Sequence, residues 1–197
     1  MSVIAVKKNK NEIIIGADSI RMNGYMKTND ESAKLSKIDK DMIVGSSGYC
    51  DISMLFKNFL LDHKPKSATE NGYIRLIDEF IDKYKYTPIT SSKFIYKYTS
   101  IISKWLYVYG WRLNSLANRI RDFGFSDSEF IIIYNKKVFF ISGYFVKEIK
   151  DYYAIGVGKN YAMSCLYAGC SVQKAIETAC HFSIYCEKPI NIITIKL

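Results

Sequence analysis

The amino-terminal part of the chain alternates short β-branched, apolar runs with polar turns. The first two runs are separated by Asn9-Lys10-Asn11, an arrangement typical of a β-hairpin. A second turn, Asn23-Gly24, precedes two further runs. We predict that these four runs form strands over residues 2–8, 12–19, 33–38 and 41–46.

The period of the apolar positions changes after residue 50. Residues 51–62 and 73–86 place their large apolar side chains on one helical face, which predicts two amphipathic helices. Residues 93–123 are also compatible with a long helix and are rich in aromatic side chains. An aromatic stripe at helical spacing is more typical of a core or a subunit interface than of a ligand site.

The carboxy-terminal part returns to strands and then to helices. Asn135-Lys136-Lys137 separates two apolar runs as a hairpin turn, and Ser171 is a candidate N-cap. We predict strands over 130–134, 138–142, 152–158 and 190–195, and helices over 160–166 and 172–186. This order predicts an α/β layered architecture, with two antiparallel sheets and helices on their outer faces, in a single domain over residues 1–197.

Composition narrows the class of protein. The chain has 197 residues, of which 49% are hydrophobic and 24% charged, as in a folded globular domain. No apolar run approaches the ~20 residues needed to cross a bilayer, and the first residues do not have the pattern of a secretory signal. We therefore expect a cytoplasmic protein without a membrane partner.

The charge and the potential metal-binding residues argue against a nucleic-acid interface and against a zinc site. The net charge is +9, but the lysines are dispersed along the chain, which favours a solvated basic surface over a nucleic-acid interface. The five cysteines follow no metal-finger spacing and the two histidines are far apart. We expect reduced thiols, no zinc site and no required cofactor.

The candidate chemistry lies at the amino terminus. Ser2 follows Met1, and serine is small enough for removal of the methionine to be expected. The freed residue would carry a hydroxyl and an amine with a pKa of about 7.7–8.0, which can act as a base near neutral pH. A hydroxyl nucleophile needs a nearby base, so this arrangement indicates a hydrolase.

Several segments, taken in order, resemble the proteasome β-subunit superfamily and, within it, the HslV-type bacterial protease. They are Ser2-Val-Ile-Ala-Val-Lys, Ile15-Gly-Ala-Asp-Ser19, Ala33-Lys-Leu-Ser-Lys-Ile38, Ile43-Val-Gly-Ser-Ser-Gly48 and Ala154-Ile-Gly-Val-Gly-Lys-Asn-Tyr-Ala162. The resemblance implies an N-terminal nucleophile hydrolase with a four-layer αββα sandwich. It covers most of the chain outside residues 63–128.

The resemblance also implies roles for individual residues. Ser2 matches the nucleophile, which is usually threonine, and Asp18 matches the carboxylate that pairs with the active-site lysine. Lys34 matches that lysine, whose charge lowers the pKa of groups near the nucleophile. Gly45 matches the glycine whose backbone N–H forms the oxyanion hole, a type of donor that can contribute about 3–4 kcal/mol.

The chain departs from the family pattern in three places. Val157 stands where a serine usually orients the nucleophile's amine, and the nucleophile itself is serine. The proteasome-type aspartate near the last helix is replaced by Ser183 or His181, depending on the register. In HslV-type proteins backbone oxygens of this segment can bind a monovalent cation, and the residues with matching spacing are Cys180, Ser183 and Cys186.

The leading hypothesis is a threonine-peptidase-type endopeptidase with an N-terminal serine. By the same resemblance it would cleave a protein or peptide substrate inside a homo-oligomeric ring, fed by an AAA+ ATPase unfoldase. The helical middle segment at residues 64–128 is extended, which indicates altered assembly or an altered partner. The alternatives are a catalytically inactive structural or assembly protein, which Val157 favours, and an amidase of small molecules.

Overall fold

The computed structural model describes residues 2–23, 26–29, 34–84, 125 and 127–197. The described strands are β1 (Ile4–Lys8), β2 (Glu12–Asp18), β3 (Ile20–Asn23), β4 (Met26–Asn29), β5 (Leu35–Lys37), β6 (Met42–Ser47), β7 (Glu129–Tyr134), β8 (Lys137–Ser142), β9 (Phe145–Ile149), β10 (Tyr152–Ile155) and β11 (Ile190–Lys196). The described helices are α1 (Cys50–Asp62), α2 (Glu70–Tyr84), α3 (Lys159–Tyr167) and α4 (Val172–Phe182).

The first sheet is antiparallel and has the strand order β10-β1-β2-β11. The predicted amino-terminal hairpin is confirmed, since β1 pairs with β2 in a register that places Ile4 opposite Ala17. Its turn is closed by Asn9, whose side-chain oxygen accepts the backbone N–H groups of Asn11 and Glu12. This use of a side chain as a turn acceptor explains the asparagine at that position.

The second sheet is also antiparallel, with the order β5-β6-β7-β8-β9. The predicted hairpin between β7 and β8 is confirmed, and Asn135 and Lys136 have φ angles of 49° and 60°. Two consecutive positive φ angles are the signature of the type I′ turn, which matches the twist of paired strands. Strands β3 and β4 form a separate two-stranded pair.

Three buried clusters separate four layers. One lies between α1, α2 and the five-stranded sheet and is centred on Phe56, Phe80 and Phe130. The second lies between the two sheets, and the third lies between the four-stranded sheet and α3 and α4. This arrangement is the four-layer αββα sandwich that the sequence predicted.

Two details of the helices bear on the site. Ser171 is the N-cap of α4, and its hydroxyl accepts the backbone N–H of Lys174, as predicted. The prediction that α4 continues to Cys186 is wrong, because Ser183 adopts an extended conformation and caps the helix with its N–H on the carbonyl of Ala179. The segment after Phe182 therefore leaves the helix and turns back toward the end of β2.

Three further features are a strand that was not predicted, the predicted long helix and the hydropathy of the helices. Strand β9 was not predicted, because its exposed Phe145 interrupts the apolar pattern. The predicted helix over 93–123, and most of the extended segment over 64–128, lies outside the described residues. Within the described part of the chain, no helix is long and apolar enough to cross a membrane.

Candidate active site

Ser2 lies two residues before β1 and lines a cavity together with Ser46 and Ser47 of β6. It is 2% exposed, and its hydroxyl donates a hydrogen bond of 2.9 Å to the Ser47 hydroxyl at the end of β6. Its carbonyl accepts the backbone N–H of Gly158 at 3.2 Å. The candidate nucleophile is therefore held by β6 and by the turn that precedes α3.

Asp18 ends β2 and organises the residues around Ser2. One carboxylate oxygen, Oδ1, accepts the Val3 backbone N–H at 2.8 Å and the Lys34 ammonium at 2.6 Å. The other, Oδ2, accepts the Glu187 backbone N–H at 3.3 Å. These contacts connect the amino-terminal strand, the residue before β5 and the segment after α4, so the carboxylate fixes where the lysine lies.

Lys34 directly precedes β5, and its ammonium faces the same cavity as Ser2. Burial lowers the pKa of Lys34, and the Asp18 carboxylate opposes that shift by favouring the charged form. The resulting arrangement is a buried cation with a fixed counter-ion beside a hydroxyl group. The pairing of Asp18 with Lys34 is the one that the resemblance implied, and the catalytic roles of Ser2, Asp18 and Lys34 stay predictions.

Gly45 lies within β6, opposite Leu35 on one side and Ile131 on the other. A Cβ atom there would lie 3.0 Å from the Ile4 side chain, so the close approach of the two sheets favours glycine. The residues of this strand that line the cavity beside Ser2 are Ser46 and Ser47. The oxyanion role of Gly45 stays a prediction.

A small cavity opens directly from Ser2, and we call it the Ser2 cleft. It encloses about 90 Å³. Its described lining residues are Ser2, Ile20, Arg21, Lys34, Ser46, Ser47, Gly48, Cys50, Ser53, Met54 and Lys57. A cavity of this kind, adjacent to a candidate nucleophile, is where a substrate side chain would be held.

Lys57 reaches the Ser2 cleft from α1, and its ammonium donates to the Lys34 carbonyl at 3.4 Å. Burial, together with the like charge of Arg21, lowers the pKa of Lys57 to about 8. Sequence reasoning missed both cations. In the sequence, Lys57 comes directly after an apolar residue of the predicted helix 51–62 and resembles a surface lysine. No local signal distinguishes it from the other lysines of the chain.

Val157 lies in the turn after β10, and Ser47 at the end of β6 approaches the same turn at Gly156. Val157 is 50% exposed, whereas Gly156 comes so close to Ser2 that a Cβ atom would lie 2.3 Å from the Ser2 carbonyl oxygen. Gly156 also has a φ of +87°, and its N–H donates to Glu129 at 2.8 Å. The hydroxyl that contacts Ser2 thus comes from Ser47, a residue that sequence analysis did not single out.

The predicted cation ligands lie where α4 ends and the chain turns toward β11. The Ser183 carbonyl already accepts the backbone N–H of Cys186 at 3.1 Å. A carbonyl retains a second lone pair, so this contact leaves a ligand position on Ser183. Among the described residues no group of three His, Cys, Asp or Glu side chains could hold a metal. The backbone cation site at Cys180, Ser183 and Cys186 stays a prediction.

Comparison with solved structures gives full-length matches. The structure of BPH from Thiobacillus denitrificans in complex with epoxomicin has 16% identity and a TM-score of 0.73, with 99% of this chain and 98% of that chain covered. A second structure of Thiobacillus denitrificans BPH has 15% identity, a TM-score of 0.74 and the same coverage. Eukaryotic HslV from Trypanosoma brucei has 14% identity, a TM-score of 0.64 and coverage of 99% of both chains.

The chain has the HslV-type, proteasome-like fold. The fold that the resemblance of the ordered motifs implied is confirmed by matches that cover nearly the whole chain. No family model and no curated protein matches the sequence itself. The HslV-type fold places Ser2, Asp18 and Lys34 together, and their chemistry has to be argued from the contacts described above.

Proposed function

We propose that this protein is a peptidase that uses Ser2, after removal of Met1, as an N-terminal nucleophile. The observation that carries the proposal is the buried Asp18–Lys34 pair, 2.6 Å apart, beside the Ser2 hydroxyl and its cleft. A nucleophile, a cation held by a fixed carboxylate and an adjacent cavity are parts that acyl transfer requires.

The chemistry follows from these positions. The freed amine of Ser2 takes the proton of the Ser2 hydroxyl as its oxygen attacks the peptide carbonyl. The C–N bond then breaks, the proton passes to the departing amine, and an ester joins the substrate's acyl group to Ser2. Water attacks the ester with the same amine as base, which releases the acid product and restores Ser2.

Lys34 and Ser47 support this reaction without forming bonds to the substrate. The positive charge of Lys34 favours deprotonated forms of nearby groups, which keeps the Ser2 amine neutral and able to accept a proton. Ser47 orients the Ser2 hydroxyl through the hydrogen bond of 2.9 Å. The negative charge on the carbonyl oxygen in the transition state needs a backbone N–H donor, for which Gly45 is the predicted residue.

Assembly and partners belong to the same proposal. We infer that the substrate is a protein or peptide, that copies of the chain form a ring, and that an AAA+ ATPase unfoldase supplies large substrates. The full-length likeness to HslV supports the ring. The BPH structure with epoxomicin supports a ligand site in this fold, and we propose the Ser2 cleft as the corresponding position here.

A catalytically inactive structural or assembly protein is the second candidate. The observation that favours it is Val157, which carries no hydrogen-bonding group and is half exposed where the family pattern has a serine. In that case Met1 would stay attached and Ser2 would not react with an electrophile.

Intact mass spectrometry with and without epoxomicin separates the two candidates. We expect a mass that lacks Met1 and gains one inhibitor, with the adduct absent in Ser2→Ala and present in the matched control Ser164→Ala, an exposed serine on α3. Retained Met1 with no adduct would overturn the peptidase proposal and favour the inactive protein. Peptide and small-amide substrates would then distinguish a peptidase from an amidase.

A further inference from the structure

A carboxylate from β7 holds the turn between β10 and α3, residues 156–158, which we call the Gly156 turn. Glu129, the first residue of β7, accepts the backbone N–H of Gly156 on Oε2 at 2.8 Å. Its other oxygen, Oε1, accepts the ammonium of Lys159, the first residue of α3, also at 2.8 Å. One side chain, 27 positions before Gly156, therefore contacts both ends of this turn.

The Gly156 turn packs directly against the Ser2 backbone. The Gly158 N–H donates to the Ser2 carbonyl at 3.2 Å, and a Cβ atom on Gly156 would lie 2.3 Å from the same oxygen. The same Cβ position lies 2.9 Å from the Ser47 hydroxyl, which is the partner of the Ser2 hydroxyl. Because these atoms are closely packed, a displacement of the turn has to displace Ser2.

The register of the five-stranded sheet brings Glu129 to this point. Glu129 lies directly opposite Ser47 in the pairing of β7 with β6. Opposite residues of paired strands lie about 4.5–5.5 Å apart, with their side chains on the same face of the sheet. Neighbouring positions of one sheet therefore contact the Ser2 side chain through Ser47 and hold the Ser2 backbone through Glu129.

The charge of Glu129 suits the start of α3. That helix has no side-chain cap at Gly158 and no acidic residue in its first turn. The N-terminal end of a helix favours a negative charge, which here comes from β7. Hydrogen bonds to an ionised carboxylate are stronger than those between neutral groups, whereas the Val157 side chain brings no hydrogen-bonding group to the turn.

We propose that Glu129 is a positioning residue for Ser2. By holding the Gly156 turn in place, it sets where the Ser2 hydroxyl and the freed amine meet a substrate carbonyl. The inference rests on the proposed function, because it names a further residue on which the reaction of Ser2 depends. Glu129 acts through Gly156 and Gly158 and forms no bond to the substrate.

Hydrogen–deuterium exchange tests the hold on the turn without requiring catalysis. In peptides that span the Gly156 turn, we expect Glu129→Ala to speed amide exchange by roughly tenfold or more. Glu129→Gln keeps an acceptor oxygen and should restore most of the protection. The matched control is Glu148→Ala, because Glu148 pairs with Lys150 at 2.7 Å and its side chain is 22% exposed, compared with 21% for Glu129. This control should leave exchange in the turn unchanged.

Labelling kinetics separate positioning from a merely structural role. With protein that lacks Met1, we expect Glu129→Ala to lower the maximal rate of epoxomicin labelling roughly tenfold, while the concentration for half-maximal rate changes little. Glu129→Gln should recover most of the rate. Lys159→Met, which removes only the ion pair, and Glu148→Ala should both keep it. If Glu129→Ala does not fold, Glu129→Asp, whose shorter side chain withdraws the carboxylate from Gly156, provides the same test.

The outcomes distinguish this inference from the proposed function. Unchanged exchange in Glu129→Ala, or faster exchange with an unchanged maximal labelling rate, overturns the positioning role and leaves the peptidase intact. A loss of rate in Lys159→Met as large as that in Glu129→Ala also overturns it, because the ion pair would then be the cause. If the protein without Met1 is not labelled while exchange follows the expected pattern, the peptidase is overturned and the hold of Glu129 on the turn is supported.

Discussion

The Lys34 ammonium lies 2.6 Å from the Asp18 carboxylate, and both side chains are buried, at 10% and 0% exposure. The pair joins the end of β2 in one sheet to the residue before β5 in the other. A buried ion pair is weak evidence for stability, because desolvation offsets the attraction between the charges. Its position beside Ser2 supports the proposed function, in which the charge of Lys34 keeps the Ser2 amine neutral.

Asp18→Asn should destabilise the fold and stop the reaction of Ser2. The substitution leaves the buried Lys34 ammonium without its counter-ion, which typically costs about 3–5 kcal/mol of unfolding free energy. Urea unfolding measures that cost, and epoxomicin labelling measures the reaction. The control is Asp41→Asn, which breaks a contact of 4.0 Å between the Lys40 ammonium and the Asp41 carboxylate, whose side chains are 88% and 55% exposed. It should change the free energy of unfolding by less than about 1 kcal/mol. Equal effects of the two substitutions would contradict the role given to the buried pair.

Ser47→Ala should slow labelling of Ser2 with little loss of stability. It removes the partner of the Ser2 hydroxyl, and a neutral hydrogen bond contributes about 0.5–1.5 kcal/mol, which would correspond to a rate change of roughly two- to tenfold. Ser47→Thr keeps the hydroxyl and should restore most of the rate. A labelling rate in Ser47→Ala equal to that of the unmodified protein would show that this contact does not orient Ser2.

Gly156→Ala should be more damaging than Gly169→Ala, although both glycines have positive φ angles of +87° and +90°. At either position, placing a Cβ on a residue with a positive φ angle costs about 1–2 kcal/mol of unfolding free energy. At Gly156 the new Cβ would also lie 2.3 Å from the Ser2 carbonyl oxygen, whereas at Gly169 it meets nothing within 4 Å. The difference between the two unfolding free energies therefore measures how tightly the turn after β10 holds Ser2. Equal losses would show that Ser2 moves freely.

Lys57→Met should stabilise the protein at pH 7, and the gain should vanish toward pH 10.5. The pKa of Lys57 falls from 10.5 to about 8 on folding, so between those values the unfolded chain binds a proton that the folded chain lacks. The stability of the unmodified protein rises with pH across that window. At about 1.4 kcal/mol per pKa unit, and allowing for partial exposure, we expect a gain of about 1–3 kcal/mol at pH 7. Thermal unfolding of both proteins at pH 7 and pH 10 measures the stability gain of Lys57→Met. A gain that is as large at pH 10 as at pH 7 would contradict the prediction.

Val157→Ser tests whether the missing family serine limits the reaction. The position is 50% exposed, so the substitution should change stability by less than about 0.5 kcal/mol. In the family pattern a serine at this position orients the amine of the nucleophile, so we expect faster labelling by epoxomicin. Tyr144→Ser, at a comparably exposed position away from Ser2, is the control and should leave the rate unchanged.

Local sequence determined much of the fold, because several elements are specified by contacts within a few residues. The Asn9 turn, the positive φ angles at Asn135 and Lys136 and the Ser171 cap each follow from the side chain at that position. The alternation of apolar residues then decides which face of each strand is buried. The ordered motifs also indicated that Ser2, Asp18 and Lys34 belong to one site.

The tertiary structure decided the contacts that complete the site. Ser47 reaches Ser2 across 45 positions, and the Glu187 N–H reaches Asp18 across 169. Lys57 on α1 and Arg21 on β3 line one cavity, and no periodicity in either segment encodes that proximity. Such contacts depend on how two sheets and a helix are stacked. Distant residues share a cavity only after that packing exists, so their charges and pKa values belong to the fold and not to the local sequence.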